Sequence, residues 1–210
     1  MAGSWHRFGM FRILAAFLLS VSPIVAAPTT PAEIAKEVIA PLLDQAKIAT
    51  LKGDRPINTR TYKVHYWLEI GHRAGGDVLV MLEAAQAATG DKDSPARRTD
   101  RAALIWSRRK LEIFGCFTPE GMAKLRRGGS PVITKGEHAG DKVALDHVLP
   151  RAIVLELDAR FYNLEILASK VNGRKSDTIT EREVELAQKW NRAGLLSAEG
   201  LQAVVEAAKP

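Results

Sequence analysis

The sequence predicts a mainly α protein, with helical segments on both sides of one small β-hairpin. Three observations predict it. Apolar residues recur at helical spacing, as at Ile34, Val38, Leu42 and Leu43. Helix-start signals punctuate the chain: Thr30-Pro31 with Glu33, Thr118-Pro119-Glu120, the capping box Thr180 to Glu183, and Ser197. The texture changes once, between Val132 and Leu149, where β-like residues surround the turn Gly136 to Gly140.

Each element follows from local chemistry. Pro28 to Pro31 reads as a short linker. The helix opening at Thr30-Pro31 carries Pro41, which would break or kink it. Gly53 to Pro56 reads as a loop. Asn58 to Ile70 mixes Tyr, Val and Trp with charges and is ambiguous between helix and strand. Gly75-Gly76 marks a break, Asp77 to Ala88 a helix, Gly90 to Pro95 a loop and Thr99 to Phe114 a further helix. A short helix from Thr118 ends at Gly128-Gly129. Val132 to Thr134 and Val143 to Leu149 are the expected strands, the second stopped by Pro150. Ala168 to Lys175, Thr180 to Ala193 and Ala198 to Ala208 complete the helical set.

Length and composition set the frame. The chain has 210 residues, 46% of them hydrophobic, which is enough for a real core and excludes a disordered protein. The formal charge of +6 is mild, but basic residues concentrate between Arg97 and Arg127, a solvated helix face or a phosphate-tracking surface. The single cysteine, Cys116, excludes an intramolecular disulfide and a thiolate-framed zinc, and reads as a small core residue. Residues 1–27 resemble an export signal. Arg7 and Arg12 precede the apolar run Ile13 to Ile24, and Val25-Ala26-Ala27 supplies small residues. Cleavage after Ala27 would leave Pro28 at the cut, so the cut site stays open and an uncleaved anchor is the alternative. No later segment reads as a membrane span.

The chemistry-bearing residues lie between Val143 and Asp177. Asp146-His147 is followed by Asn163-Leu164 and then by Asn172-Gly-Arg-Lys-Ser-Asp177. Phosphodiester hydrolysis needs a base for the attacking water, a cation against developing negative charge, and groups that hold the phosphate. Histidine suits the first, Asp and Asn oxygens suit a hard cation, and Arg or Lys suit the third. Arg174 and Lys175 are the candidates for phosphate, with Arg151 behind them. Neighbours in a strand point to opposite faces, so Asp146 and His147 can serve one site only if the strand ends or bulges there. His65, Glu69 and His72 fall at helical spacing and form a weaker candidate for a second metal site.

Asp146-His147-Val-Leu-Pro150, Asn163-Leu164-Glu-Ile-Leu167 and Asn172-Gly-Arg-Lys-Ser-Asp177 resemble, in order, the motifs of the HNH endonuclease family, whose fold is a ββα-metal finger. The resemblance spans roughly Ser130 to Asp177. It implies His147 as general base, Asp146 and Asn172 as ligands of a divalent metal, and Asn163 as the asparagine that supports the hairpin and orients the histidine. The last position is Asn where many members carry His. In this it is similar to the HNH domain of RNA-guided CRISPR nucleases, which implies Mg2+ or Mn2+ over Zn2+. The framing Cys pairs of many relatives are missing, so other packing must support the finger.

The expected organisation is therefore a signal peptide over 1–27, a helical region of unknown role over 28–129, the finger over 130–177, and C-terminal helices over 178–210 packing on it. The expected activity is an exported, metal-dependent endonuclease, periplasmic or secreted from a bacterium. It would cut DNA, ahead of RNA, with low sequence specificity, because no recognition helix for base readout is evident. The runner-up is a non-catalytic envelope protein that keeps the finger as a scaffold for binding nucleic acid. A toxin domain ranks last.

Overall fold

The structure is a computed structural model that describes residues 28–52, 59–90, 93–175 and 178–208, without the side chains of 49–52. The expected export signal, the loop at Gly53 to Pro56 and the Ser176-Asp177 end of the last motif lie outside the described residues. The protein is mainly helical, and among the described residues it has one sheet, a pair of antiparallel strands.

The chain opens on α1 (Pro31–Glu33), where Thr30 and Glu33 form a reciprocal capping box. A π-helical stretch, Ile34–Ile39, carries it into α2 (Ala40–Leu43). The Ala40 N–H reaches back to Ala35 O in this wide turn, immediately before Pro41, which has no N–H to donate. Pro41 is accommodated at the start of α2 without ending the helical run, which stops at Asp44. α3 (Gln45–Lys52) follows. The ambiguous segment resolves as a helix, α4 (Arg60–Arg73), because Thr61, Val64, Leu68 and Gly71 fall on one buried side at helical spacing, while Tyr62 packs into a second cluster. α5 (Val78–Ala88) is capped by Asp77.

α6 (Pro95–Ile113) starts four residues before the expected Thr99, because the Ser94 side chain accepts from Arg97 N and Pro95 fits the first turn. It stops at Gly115, whose φ of 67° lets Cys116 N–H return to Leu111 O at 2.9 Å. α7 (Pro119–Arg126) begins at the Thr118 cap.

The hairpin differs from the expectation. β1 (Val143–His147) pairs with β2 (Leu164–Ala168), whereas Val132 makes only an isolated bridge to Lys142. The connection between the strands is thus the long loop 148–163, not the turn at Gly136 to Gly140. Asn163 immediately precedes β2. α8 (Ser169–Lys175) follows β2 directly and is followed by α9 (Glu181–Arg192) and α10 (Ala198–Ala207), capped by Thr180 and Ser197.

Three apolar clusters hold the fold, and α6 enters all of them. Leu104 packs with Ile34, Ile39, Leu68 and Leu82 beneath α1 to α5, together with Phe161 from the long loop. Leu111 joins Tyr62, Cys116, Leu125 and Ile133 against the inner strand residues Val143, Leu145, Leu164 and Ile166. Ala96 and Ala103 border a third cluster, where Leu149, Leu157 and Tyr162 of the loop meet Trp190, Leu196 and Val204 of the C-terminal helices. Each fully buried Leu or Ile contributes on the order of 1.5–3 kcal/mol. Cys116 is fully buried within the second cluster, and burial pushes its thiol up to about 12, so it is a core residue and no nucleophile.

Candidate active site

β1 ends at His147, where two devices take over from the strand ladder. Val148 N–H still donates to Asn163 O at 2.8 Å. One residue on, the Asn163 side chain replaces the backbone. Its Oδ1 accepts from Leu149 N at 2.8 Å, and its Nδ2 donates to Leu149 O at 3.0 Å and to Leu157 O at 3.4 Å. Asn163 is fully buried, and an amide that donates and accepts at once satisfies both polar groups of Leu149 where the sheet cannot. Pro150 then turns the chain, with Ile153 N and Val154 N both donating to its carbonyl.

Asp146 and His147 leave β1 in different directions, as strand alternation requires. Asp146 is half-buried and faces α8. The Asn172 amide, turned so that its nitrogen meets the carboxylate, donates to Asp146 Oδ2 at 2.9 Å and Oδ1 at 3.3 Å. Lys175, one turn further along α8, places its Nζ 2.9 Å from Asp146 Oδ2, 2.8 Å from Glu165 Oε1 and 2.5 Å from His147 O. Glu165 stands directly opposite Asp146 in the strand register. Burial alone would lower the Lys175 pKa; the hydrogen bonds it donates to Glu165 and Asp146 outweigh this and raise the value above the ordinary one. Lys110 of α6 and Arg182 of α9 add positive charge around the same cluster. Arg182 Nη2 lies 3.8 Å from Glu165 Oε2, and the Lys110 pKa is lowered by burial, with Lys175 and Arg182 adding to the effect and Glu165 opposing it.

The His147 ring is buried and turned to Asp158 in the long loop. Its Nε2 lies 3.1 Å from both the backbone oxygen and Oδ1 of Asp158. Asp158 in turn receives Arg151 Nε at 3.3 Å on Oδ2. A proton on Nε2 satisfies both acceptors, which assigns the tautomer and makes Nδ1 the lone-pair nitrogen.

No family model, no curated protein and no solved structure matches this chain. The site therefore stands on its own geometry. Of the residues singled out in the sequence, the structure brings Asp146, Asn172 and Lys175 into one cluster. His147 borders it through its backbone carbonyl, Asn163 braces the turn behind it, and Arg151 belongs to the His147–Asp158 pair. Arg174 is exposed on the last turn of α8.

A divalent cation fits the donor set. If the Asn172 amide rotates by half a turn, its oxygen takes the place of the nitrogen and joins the carboxylate of Asp146, which is hard-cation chemistry. The carboxylate of Glu165 lies on the same face. The His65, Glu69 and His72 trio does not fit. Glu69 is buried with Oε1 on Arg73 Nε at 2.7 Å and Oε2 on Arg108 Nη2 at 2.5 Å. His72 instead places Nδ1 3.3 Å from Gly76 O. His65 is fully buried, and among the described residues neither ring nitrogen has a partner. Burial first, and the Arg108 charge second, lower its pKa to about 3. Among the described residues, no group of three His, Cys, Asp or Glu side chains could hold a metal ion.

Sequence reasoning missed two residues that touch the site directly. Glu165 was legible, because Leu164-Glu-Ile-Leu-Ala168 alternates as a half-buried strand and sets Glu165 on the outer face. Asp158 was not, since nothing in its neighbours announces a partner for a histidine eleven residues earlier.

Proposed function

We propose that the protein is an HNH-type, metal-dependent endonuclease that hydrolyses phosphodiester bonds of DNA, ahead of RNA, with low sequence specificity. The observation that supports this reading is the contact of Asp146 with Asn172, from β1 and α8, next to the backbone carbonyl of His147, whose ring leaves β1 in another direction and meets a loop carboxylate. His147 Nδ1 accepts the proton of the attacking water. Asp158 holds the opposite nitrogen, fixes the ring and stabilises the imidazolium that forms, a positioning role. Asp146 and Asn172 would hold Mg2+ or Mn2+, which when bound supplies Lewis-acid stabilisation of the negative charge on the phosphate and leaving oxygen. Arg174 and Lys175 bind the phosphate, and Asn163 keeps the turn that aims His147. Arg151 holds the far side of Asp158 and extends the basic rim.

Export belongs to the same reading. A leader over 1–27 would carry a non-specific nuclease to the periplasm or the medium, away from the producer's genome, and a leader–reporter fusion retained in the cytoplasm refutes it. Among the described residues, no helix is long and apolar enough to cross a membrane.

A second reading has one observation in its favour. Lys175 neutralises Asp146 and Glu165 internally, as it would in a non-catalytic envelope protein that binds nucleic acid without a metal. Cleavage of plasmid DNA and of RNA, side by side with Mg2+ or Mn2+, separates the two. Cleavage by the wild type, lost in His147→Ala, supports the nuclease. An inert wild type that still binds DNA supports the binding protein.

A further inference from the structure

The ammonium of Lys175 is enclosed by three oxygens, Asp146 Oδ2, Glu165 Oε1 and His147 O, at 2.9, 2.8 and 2.5 Å. An ammonium has three donors, and these contacts use all of them. Asp146 and Glu165 are direct cross-strand partners, so their carboxylates leave the same face of the sheet and repel each other unless a cation lies between them. Asn172 approaches Asp146 from the same helix as Lys175, at the spacing that sets both on one helix face. The ammonium therefore occupies the position where the oxygen donors suited to a hard divalent cation converge. Its stem is a flexible four-carbon chain that can swing away without moving the backbone.

We infer that Lys175 is an internal counter-ion that competes with a divalent cation for Asp146 and Glu165, and that on cation binding its ammonium leaves the two carboxylates and meets the substrate phosphate. Glu165, which lies outside the motif residues given a role, becomes the second carboxylate of the cation site. The exchange itself requires only that a divalent cation binds; the delivery to phosphate rests on the nuclease reading. One charge thus serves two stations, and it relieves the repulsion between the carboxylates until a cation takes its place.

Titration calorimetry with Mn2+ alone, on the full chain, tests the exchange. Removing two charge-assisted hydrogen bonds from the competing partner should tighten Mn2+ binding by roughly tenfold or more in Lys175→Met. Lys175→Arg, which keeps the charge, should stay near the wild type, and Asp146→Asn should bind Mn2+ weakly in either background. Equal Mn2+ affinity in the wild type and Lys175→Met overturns the inference. Should Lys175→Met fail to fold by circular dichroism, the wild type decides alone. Reductive methylation followed by mass spectrometry should modify Lys175 faster with Mn2+ than without, and an unchanged or slower rate overturns the exchange. The delivery half predicts that Lys175→Met cuts plasmid more slowly at saturating Mn2+, and undiminished cutting overturns it. Tighter Mn2+ binding in a protein whose wild type never cuts leaves the exchange standing and removes the nuclease reading. A cutting wild type with no change in Mn2+ affinity does the reverse.

Discussion

Two buried histidines make an instructive contrast. His65 lies between α4 and α6, fully enclosed, with neither ring nitrogen partnered among the described residues and with Arg108 as its charged neighbour. His147 is also buried at the end of β1, but Asp158 offers its Nε2 two oxygens at 3.1 Å. Burial alone keeps an imidazole neutral and inert. Burial with an acceptor on one nitrogen fixes a tautomer and leaves the lone pair on the other nitrogen. The difference lies in the loop opposite the ring and not in the histidine.

The largest effect that would break this contrast is on catalysis. Under the nuclease reading, His147→Ala should lower the rate of plasmid cleavage by roughly 10²–10⁴-fold. His65→Leu should cut at the wild-type rate; equal losses in both variants would erase the distinction. Asn163→Ala should come next. It leaves Leu149 N and O buried without their partner, at a cost of about 2–4 kcal/mol. Urea unfolding reads this as a lower midpoint with an unchanged slope. Stability within about 0.5 kcal/mol of wild type would mean the turn stands without its brace.

Asp158→Ala should be milder, because the backbone oxygen of residue 158 still faces Nε2. A fall in kcat of about tenfold, with KM nearly unchanged, is expected of a group that orients a base without touching substrate. A rise in KM alone would move Asp158 from positioning to binding. A separate effect, on stability alone, is a pH dependence. The unfolded chain protonates His65 near 6.5, while the folded one resists down to about 3. The unfolded state therefore binds the extra proton in that window, and stability attributable to His65 is complete above the upper value and lost as pH falls toward the lower one. Relative to His65→Leu, the wild type should lose about 1.4 kcal/mol per pH unit across it. Asp100, which burial raises to about 6, acts in the opposite sense but is common to both proteins and cancels. Parallel stability curves for the two proteins would place His65 outside the acid response.

The sequence disclosed the helices through their caps. Thr30, Thr118, Thr180 and Ser197 each start a helix, because an N-cap is a local hydrogen bond written in adjacent residues. It also singled out Asp146 and Asn172, which the fold brings into contact. The strand partner was misassigned, because Val132 to Thr134 lies closer along the chain than Leu164 to Ala168. A hairpin with a long loop leaves no turn signal between its strands. α4 stayed ambiguous because Tyr, Val and Trp favour strands locally, and only packing against α5 and α7 chooses the helix. Asp158 was not assigned because its role arises from a tertiary contact with His147, whereas Glu165 was passed over although the alternation of its strand set it on the outer face.

The loop 148–163 is also held from two sides, by α6 before it in the chain and by the C-terminal helices after it. Tyr162 N–H donates to Asp100 Oδ1 of α6 at 3.0 Å, and its hydroxyl donates to Leu195 O, between α9 and α10, at 2.8 Å. The Tyr162 ring stacks edge-on against Trp190 at 5.1 Å. Under the nuclease reading, activity is therefore not portable: the hairpin and α8 transplanted alone would keep the motif and lose the vice that grips the turn carrying Asp158. On the same reading, a truncation upstream of Trp190 would disarm the chain while leaving every motif residue in place.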